Sequence, residues 1–171
     1  MHMFQNLIDK LKAHPARSSL PRDRTPDPWS IARLLSGTFL TPVLVGNEEE
    51  VQAAAEKAGF NIRGAIIIDP ENYDGMDAMV EKMVELRKGK MTADECRAAL
   101  KKGNYFGTML VKMGVADALL GGATTPPPTP SAPPAAGQDQ AGNKIVSSCF
   151  ILVRASATGD NDVLAMGDCA I

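Results

Sequence analysis

The chain has 171 residues, enough for one ordinary domain or for one domain and part of another. Hydrophobic residues make up 44% of it and charged residues 22%, which is typical of a folded globular protein, and a net charge of −2 provides no electrostatic reason to bind nucleic acid or an anionic membrane. No apolar run approaches the ~18 residues of a membrane-spanning helix, and the charged residues at 9, 10 and 12 exclude a secretory signal there. We therefore expect a cytoplasmic protein.

The first part of the chain alternates helix and strand patterns. Apolar residues at helical spacing predict a helix over 3–13, and the apolar run over 41–45 predicts a strand. Asn47 then caps a helix, with Glu50 three positions on as its capping-box partner, and Gly59 ends that helix.

Periodicity and turn signals predict the next elements in this order: a strand over 62–68, a helix over 76–87, a helix from Thr92 to Gly103, a short helix over 107–113, and a buried strand over 115–120. Thr92 and Glu95 form a second capping box. Strands that alternate with helices at this spacing are typical of a parallel sheet. We predict an α/β fold, a three-layer parallel sheet with helices on both faces, over residues 1–123.

Two stretches interrupt this pattern. Residues 17–30 contain three prolines and no periodicity, and six of the nine residues over 126–134 are proline, which favours an extended linker over 124–144. The strand-like runs 145–154 and 162–169 then predict an antiparallel hairpin. We expect this hairpin to begin a second domain over 145–171 that the chain does not complete.

Cysteine and histidine patterns argue against metal and disulfide chemistry. Cys96, Cys149 and Cys169 are odd in number and far apart, which excludes a disulfide framework and a compact zinc motif and fits a reducing compartment. His2 and His14 have no neighbouring ligands in metal-binding spacing.

Two positions could bind an anion. Gly121 and Gly122 follow a predicted strand, where a doubly wound sheet places its ligand loops, although a plain turn fits equally well. Arg87, Lys88 and Lys90 place three cations at a helix end, where a solvated surface is the simpler interpretation.

A more specific pattern comes from several segments together, which keep their order and spacing: 42–48, 69–76, 87–90, Asn-Tyr-Phe-Gly-Thr-Met-Leu at 104–110, Ala-Asp-Ala-Leu-Leu-Gly-Gly-Ala at 116–123, and Gly-Asp-Cys-Ala-Ile at 167–171. These segments resemble phosphate acetyltransferases (phosphotransacetylases) of the phosphate acetyl/butyryl transferase family. The resemblance covers most of 36–123 and 144–171, and the run at 104–108 favours the acetyl enzymes over the butyryl enzymes.

The resemblance implies acetyl transfer between acetyl-CoA and orthophosphate, with acetyl phosphate as the other acyl carrier, in a cleft between two α/β domains. It implies coenzyme A as a substrate, no metal in the active site, no nucleic-acid or membrane partner, and usually a homodimer. Arg87 matches a cation on the phosphate or coenzyme side. The residues that match the family's cleft positions are Arg87, Thr108, Gly121, Gly122, Ala123 and Cys169. No residue of this chain matches a catalytic position.

Residues 124–134 depart from the family, which has Thr-His-Ser-Thr-Ala-Asp-Thr-Val-Arg-Pro-Ala-Leu here, including an anion-binding arginine. Written in GC-rich codons, that segment loses one C after its first codon to become Thr-Thr-Pro-Pro-Pro-Thr-Pro-Ser-Ala-Pro-Pro, which is the sequence of 124–134. We infer that this tract arose from a frameshift and that a second, compensating frameshift restored the reading frame after it. Resequencing the locus tests this inference, and clean reads without insertions or deletions relative to close homologous genes would refute it.

Two losses are expected from these departures. Ser18 and Ser19 stand where the family has strand hydrophobes, so we expect a degraded first strand and a sheet that lacks one member. The family's catalytic aspartate and its Ser-Arg pair belong to a second half that we expect this chain to lack, so we predict an inactive fragment. The alternatives are a phosphate butyryltransferase-type enzyme, or a non-catalytic remnant that binds acyl-CoA, phosphate or a partner.

Overall fold

The structure, a computed structural model, describes residues 2–21, 40–59, 61–88, 90–120, 149–155 and 161–167. The described elements in chain order are α1 (His2–Ala13), β1 (Ala16–Pro21), β2 (Leu40–Val45), α2 (Glu48–Lys57), β3 (Ile66–Ile68), α3 (Met76–Arg87), α4 (Ala93–Leu100), α5 (Gly103–Lys112), β4 (Ala118–Leu119), β5 (Cys149–Ala155) and β6 (Asn161–Gly167). The predicted linker over 124–144 and residues 22–30 of the first irregular stretch lie outside the described residues.

Four strands form one parallel sheet in the order β3-β2-β1-β4. β1 pairs with β2 along its whole length, from Ala16 opposite Leu40 to Pro21 opposite Val45. On its other side β1 pairs with the short β4, with Ser19 opposite Leu119. The predicted α/β class and parallel sheet are confirmed.

The expectation that the sheet loses its first strand is wrong. β1 is present and lies between two partner strands, so the backbone ladders on both sides hold it whatever its side chains are. Ser18 and Ser19 are buried, with 6% and 0% of their surface exposed. Small side chains are tolerated here because α5 packs directly on this strand, with Gly107 next to Ser19.

Helices cover both faces of the sheet, as predicted. Side chains alternate along β2, and Val43 and Val45 enter the main core cluster whereas Leu44 is buried outside it. The other members of that cluster come from α3, α4, α5 and the turn before β4: Met79, Val80, Met83, Cys96, Leu100, Phe106, Met109, Leu110 and Ala116. Because parallel crossovers are right-handed, the connection from β2 to β3 and the return from β3 to β4 run over opposite faces. α2 therefore lies on the face opposite to α3, α4 and α5.

The side-chain N-caps predicted at Asn47 and Thr92 are confirmed. The Asn47 side chain accepts a hydrogen bond from the Glu50 N–H at 3.2 Å and so caps α2. At α4 the capping box is complete, since the Thr92 N–H donates to the Glu95 carboxylate at 2.8 Å and the Glu95 N–H donates to the Thr92 hydroxyl at 3.3 Å.

Three predicted boundaries are wrong. The strand predicted over 62–68 is only β3, because Gly64 adopts a left-handed φ of +99° in a turn that precedes it. Gly103 does not end α4, which has already stopped at Leu100. It begins α5, so the helix predicted over 107–113 starts four residues earlier and ends at Lys112. The run over 115–120, predicted as a buried strand, contributes only β4, whose residues are exposed at the edge of the described part of the sheet.

The predicted hairpin is confirmed as β5 and β6, which pair antiparallel from Cys149 opposite Gly167 to Ala155 opposite Asn161. None of the described helices is long and apolar enough to cross a lipid bilayer.

Candidate functional site

The strand order of the sheet reverses between β1 and β4. The sheet first grows from β1 through β2 to β3, and the chain then returns across it to place β4 on the far side of β1. In open α/β sheets, ligands bind outside the carboxyl ends of the strands at such a reversal. The carboxyl ends of β1 and β4 therefore mark the candidate site.

The backbone remains hydrogen-bonded to β1 up to the residue before the predicted glycine loop. The Leu120 N–H donates to the Ser19 carbonyl oxygen at 2.9 Å, so the chain remains paired with β1 one residue beyond β4. Gly121, Gly122 and Ala123 follow at once in the sequence but lie outside the described residues, as does Cys169. Their roles in the cleft stay predictions.

The first turn of α5 lies at this same edge of the sheet. The opposite end of α5 is at the amino edge, because Gly114, just after the helix, accepts a hydrogen bond from the Arg17 guanidinium at 2.9 Å near the start of β1. α5 therefore runs from the carboxyl edge to the amino edge. Gly103 and Asn104 are its first residues, and Lys102 caps it without a side-chain hydrogen bond. A helix start of this kind favours anions.

Gly107 sets the distance between α5 and the sheet. A Cβ atom at this buried glycine would lie 2.8 Å from Cδ1 of Leu119 and 2.8 Å from Oγ of Ser19, closer than real Cβ contacts come. Glycine therefore lets the helix rest directly on β1 and β4. The sequence motif 104–110 contained this residue, but nothing in the spacing identified it as the contact point.

An aromatic contact joins α5 to the loop that follows β3. The rings of Tyr73 and Phe106 meet edge to face, with centroids 5.4 Å apart and planes at 87°. Phe106 is fully buried, and edge-to-face pairs of this kind stabilise the contact beyond simple burial. The loop before α3 and the first turn of α5 are thereby held together at the carboxyl edge.

Asp69 ties together the loops after β2 and β3 at that edge. Its carboxylate accepts hydrogen bonds from the Glu71 N–H at 3.0 Å, the Asn72 amide at 2.8 Å and the Asn47 amide at 3.2 Å. The Glu71 N–H and the two side-chain amides hold the pKa of Asp69 below its ordinary value, although burial opposes them. Asp69 is therefore ionised and engaged in holding the loops, a role that the sequence analysis did not assign.

A separate ion pair fixes the amino edge. The Arg17 Nε donates to Asp117 Oδ2 at 3.2 Å, and the Arg17 N–H donates to the same oxygen at 2.7 Å. In return the Asp117 N–H donates to the Arg17 carbonyl oxygen at 2.7 Å. These bonds join the start of β1 to the turn before β4, and the Arg17 side chain, followed by its backbone N–H, lowers the pKa of Asp117.

Arg87 lies at the far end of α3 from the carboxyl edge. α3 starts just after β3, its Asp77 pairs with Arg97 of α4, and Arg87 is its last residue. The half-buried Arg87 Nε donates to the Met91 sulfur at 3.1 Å. Burial raises the pKa of the nearby Cys96 thiol, and the charge of Arg87 opposes that shift. The described structure thus does not bring Arg87 next to the start of α5.

Thr108 sits halfway along α5 and is half-buried. Its hydroxyl donates to the Asn104 carbonyl oxygen at 2.7 Å, which uses its single proton. Towards a ligand the Thr108 oxygen can then only accept a hydrogen bond. Among the described residues, no group of three or more His, Cys, Asp or Glu side chains is placed to hold a metal ion.

Comparison with known proteins matches residues 28–171 to the family described as phosphate acetyl/butaryl transferase. A phosphate acetyltransferase of Thermoanaerobacterium thermosaccharolyticum is 35% identical over 175 residues, which covers 100% of this chain and 53% of that protein. A phosphate acetyltransferase of Bacillus subtilis is 45% identical over 94 residues, which covers 55% of this chain and 29% of that protein.

Solved structures give the same result. A EutD phosphotransacetylase from Staphylococcus aureus superposes with a TM-score of 0.77 at 27% identity, over 98% of this chain and 51% of that chain. A phosphotransacetylase from Streptococcus pyogenes superposes with a TM-score of 0.75 at 29% identity, over 94% and 49% respectively. The chain thus spans about half the length of the relatives that match along all or nearly all of it.

Proposed function

The chain belongs to the phosphate acetyl/butyryl transferase family, and from this premise we propose that its residues serve acetyl transfer between coenzyme A and orthophosphate, with acetyl phosphate as the other acyl carrier. The observation that carries the proposal is the reversal of strand order between β1 and β4, with the start of α5, whose N-cap Lys102 makes no side-chain hydrogen bond, at the same edge. That geometry suits a phosphate or acyl phosphate, which needs N–H donors and a positive helix end.

In the proposed reaction a base removes the proton from the coenzyme A thiol, and the thiolate attacks the acetyl carbonyl of acetyl phosphate. The new bond joins sulfur to the carbonyl carbon, the bond from that carbon to the phosphate oxygen breaks, and orthophosphate leaves with the electron pair. We assign binding, not proton transfer, to this chain. N–H groups at Gly103, Gly121 and Gly122 would hold the phosphate and the developing oxyanion. No metal enters the proposed mechanism.

Arg87 is assigned to coenzyme A. Because it lies at the end of α3 remote from the carboxyl edge, it suits the phosphates of the long coenzyme better than the small orthophosphate. A guanidinium binds phosphate oxygens through paired N–H donors, and Lys88 beside it adds a second cation.

Thr108 is assigned to the acyl or pantetheine side of the cleft. Since its proton is already given to the Asn104 carbonyl, it would accept from an amide N–H of the coenzyme and would not donate to a phosphate. Ala123 and Cys169 complete the proposed lining. The same proposal includes a cytoplasmic location and a homodimeric state.

We further propose that the chain of residues 1–171 shows no turnover by itself, because the family's catalytic groups belong to the other half and residues 124–134 lack the family's arginine. A chimera tests both points. Residues 1–171 are fused to the remaining half of the Thermoanaerobacterium enzyme, once unchanged and once with the family's Thr-His-Ser-Thr-Ala-Asp-Thr-Val-Arg-Pro-Ala at 124–134.

We expect the restored chimera to form acetyl-CoA from acetyl phosphate and coenzyme A at least about a hundredfold faster than the unchanged chimera, and complete absence of turnover in the unchanged chimera fits the same expectation. Loss of one contact to the oxyanion or the phosphate lowers kcat by about this factor. Arg87→Ala in the restored chimera should raise KM for coenzyme A about tenfold, and the exposed Arg63→Ala is the matched control. A folded, restored chimera that binds coenzyme A but makes no acetyl-CoA would refute the proposed activity and leave a binding role. A higher kcat/KM with butyryl phosphate would assign the butyryl reaction.

A further inference from the structure

The side chain of Arg87 is held by a sulfur atom and not by a carboxylate. Its Nε donates a hydrogen bond to the Met91 sulfur at 3.1 Å. Arg17 and Arg97, by contrast, each pair with an aspartate. Arg87 is half-buried, and within the described ranges its guanidinium has the Met91 sulfur as its hydrogen-bond partner and makes no ion pair.

A thioether leaves the charge of the guanidinium available. It is a neutral and weak acceptor, so it engages one of the five N–H donors without neutralising the cation. The four N–H groups on Nη1 and Nη2 make no hydrogen bond to the described residues, and together they form a fork that can bind two phosphate oxygens. A half-buried cation has also lost part of its hydration, so an arriving anion stabilises it. The contact with sulfur therefore orients Arg87 and keeps its charge for a ligand.

A left-handed turn brings Met91 back beside Arg87. α3 ends at Arg87, and Lys88 follows with φ of +52° and ψ of 43°. This conformation is unfavourable for a residue that has a Cβ atom. The Lys90 N–H closes the turn, since it donates to the Arg87 carbonyl oxygen at 3.0 Å. The chain thus adopts a locally unfavourable backbone here, and the result is that the sulfur lies next to the guanidinium.

Met91 also has a purely structural use. It precedes Thr92, the N-cap of α4, and an apolar residue in that place commonly packs on the fourth helical residue, here the buried Cys96. Met91 is partly buried against the core cluster that contains Cys96. Leucine has nearly the same volume and would serve this packing equally well. The bond to Arg87, in contrast, requires an acceptor atom, and this difference separates the two roles.

We propose that Met91 is a positioning residue for coenzyme A: its sulfur holds the Nε edge of Arg87, so that Nη1 and Nη2, with their charge not neutralised, face a phosphate group of the coenzyme. The proposal rests on the assignment of Arg87 to coenzyme A under the proposed function. It adds that the acceptor at position 91 must be neutral, because a carboxylate there would pair with the guanidinium and compete with the phosphate.

Three substitutions at position 91 separate packing, hydrogen bonding and charge. In the restored chimera, Met91→Leu keeps the packing and removes the acceptor, and Met91→Gln supplies a neutral oxygen acceptor. Met91→Glu has the shape of the glutamine variant and adds a negative charge. Calorimetric titration with coenzyme A gives Kd without any need for turnover, and steady-state assays add kcat and KM. Met113→Leu, at an exposed methionine that ends α5, is the matched control.

We expect Met91→Leu to raise Kd for coenzyme A about threefold, the loss expected for one weak hydrogen bond, and Met91→Gln to keep the parent value. Met91→Glu should raise Kd about tenfold, as Arg87→Ala does, because the carboxylate neutralises the same charge. The kcat and the KM for acetyl phosphate should not change. In an Arg87→Ala background Met91→Leu should have no further effect. Urea unfolding followed by circular dichroism checks that each variant keeps the fold.

A Kd for Met91→Leu equal to that of the parent would overturn the proposal. Equal weakening by Met91→Gln and Met91→Glu would overturn it too, because it would assign Met91 to the packing of α4 alone, as would a loss from Met91→Leu that persists in the Arg87→Ala background. If coenzyme A binds with the expected pattern and no acetyl-CoA forms, only the proposed activity fails. If the restored chimera turns over and no substitution at position 91 changes Kd, only this inference fails, and a restored chimera that does not bind coenzyme A would overturn both.

Discussion

The contact between Gly107 and Ser19 makes a prediction that can be worked out in free energy. Ser19 is fully buried in the central strand, and among the described residues its hydroxyl has no hydrogen-bond partner. The missing Cβ of Gly107 would lie 2.8 Å from that hydroxyl oxygen. The serine oxygen thus occupies space that a methyl group on the helix would need.

The single substitutions Gly107→Ala and Ser19→Ala should therefore have opposite effects on the stability of the fold. Gly107→Ala should destabilise the fold by about 1 kcal/mol, because overpacking costs ~1–3 kcal/mol while the better helix propensity of alanine returns ~0.5–1 kcal/mol. Ser19→Ala should stabilise it by about 1 kcal/mol, the lower end of the cost of a buried unsatisfied polar group.

The double variant should be more stable than either. With the Ser19 oxygen removed, the methyl group introduced by Gly107→Ala enters the vacated space, and the overlap with Leu119 can relax because that side chain is 38% exposed. The double variant should exceed the parent in free energy of unfolding by about 1.5–2 kcal/mol. The effects of the two single variants add up to about zero, so the coupling energy between the two positions should also be about 1.5–2 kcal/mol.

Urea unfolding followed by circular dichroism measures all four proteins of this cycle. At a slope of ~1–3 kcal/mol per molar urea, the midpoint of the double variant should rise by about 0.5 M or more. Ala98→Gly, at an exposed position of α4, measures the glycine-to-alanine propensity difference by itself. A Gly107→Ala variant at least as stable as the parent, with no coupling to Ser19→Ala, would refute the close contact.

Three further outcomes follow from the structure. Arg17 holds the pKa of Asp117 down, so the stability that Asp117 contributes is present above the ordinary aspartate value of 3.8 and is lost as pH falls through the lower folded pKa. Asp117→Asn should therefore lower Tm at neutral pH and flatten the acid limb of a plot of Tm against pH. An equal decrease in Tm at all pH values would contradict this. Thr92→Ala should cost about 1 kcal/mol in urea unfolding by removing the α4 capping box, and a cost near zero would show that the box is not formed. In the native chain Cys149 should react with iodoacetamide and Cys96 should not until urea unfolds the domain, because burial excludes the reagent and raises the Cys96 pKa; equal rates would refute the packing of α4.

The elements that could be predicted from the sequence are those whose signal is local. Two helix starts could be predicted from Asn47 and from the Thr92–Glu95 pair, because an N-cap hydrogen bond joins a side chain to a backbone N–H only three residues away. The helix over 76–87 could be predicted in the same way, because its apolar periodicity lies within one segment, and Met79, Val80 and Met83 form its buried face.

The errors occurred where the deciding contact is remote. Ser18 and Ser19 led to the prediction of a degraded strand, because the residue types of this segment do not indicate that β2 and β4 pair with it on both sides. β4 has an apolar sequence yet is exposed, since its place at the edge of the described part of the sheet depends on the strand order and not on its own residues.

The candidate site also depends on strand order more than on any one side chain. β4 can lie beside β1 only because α3, α4 and α5 carry the chain back across one face of the sheet, and α5 can lie flat there only because Gly107 lacks a Cβ. The run at 104–108 therefore matters first through its glycine, which positions the helix start, and only then through Thr108, whose proton is already engaged. For the same reason a substitution at Gly107 should displace α5 from β1 and β4, where the strand order reverses, more than removal of the Thr108 hydroxyl does.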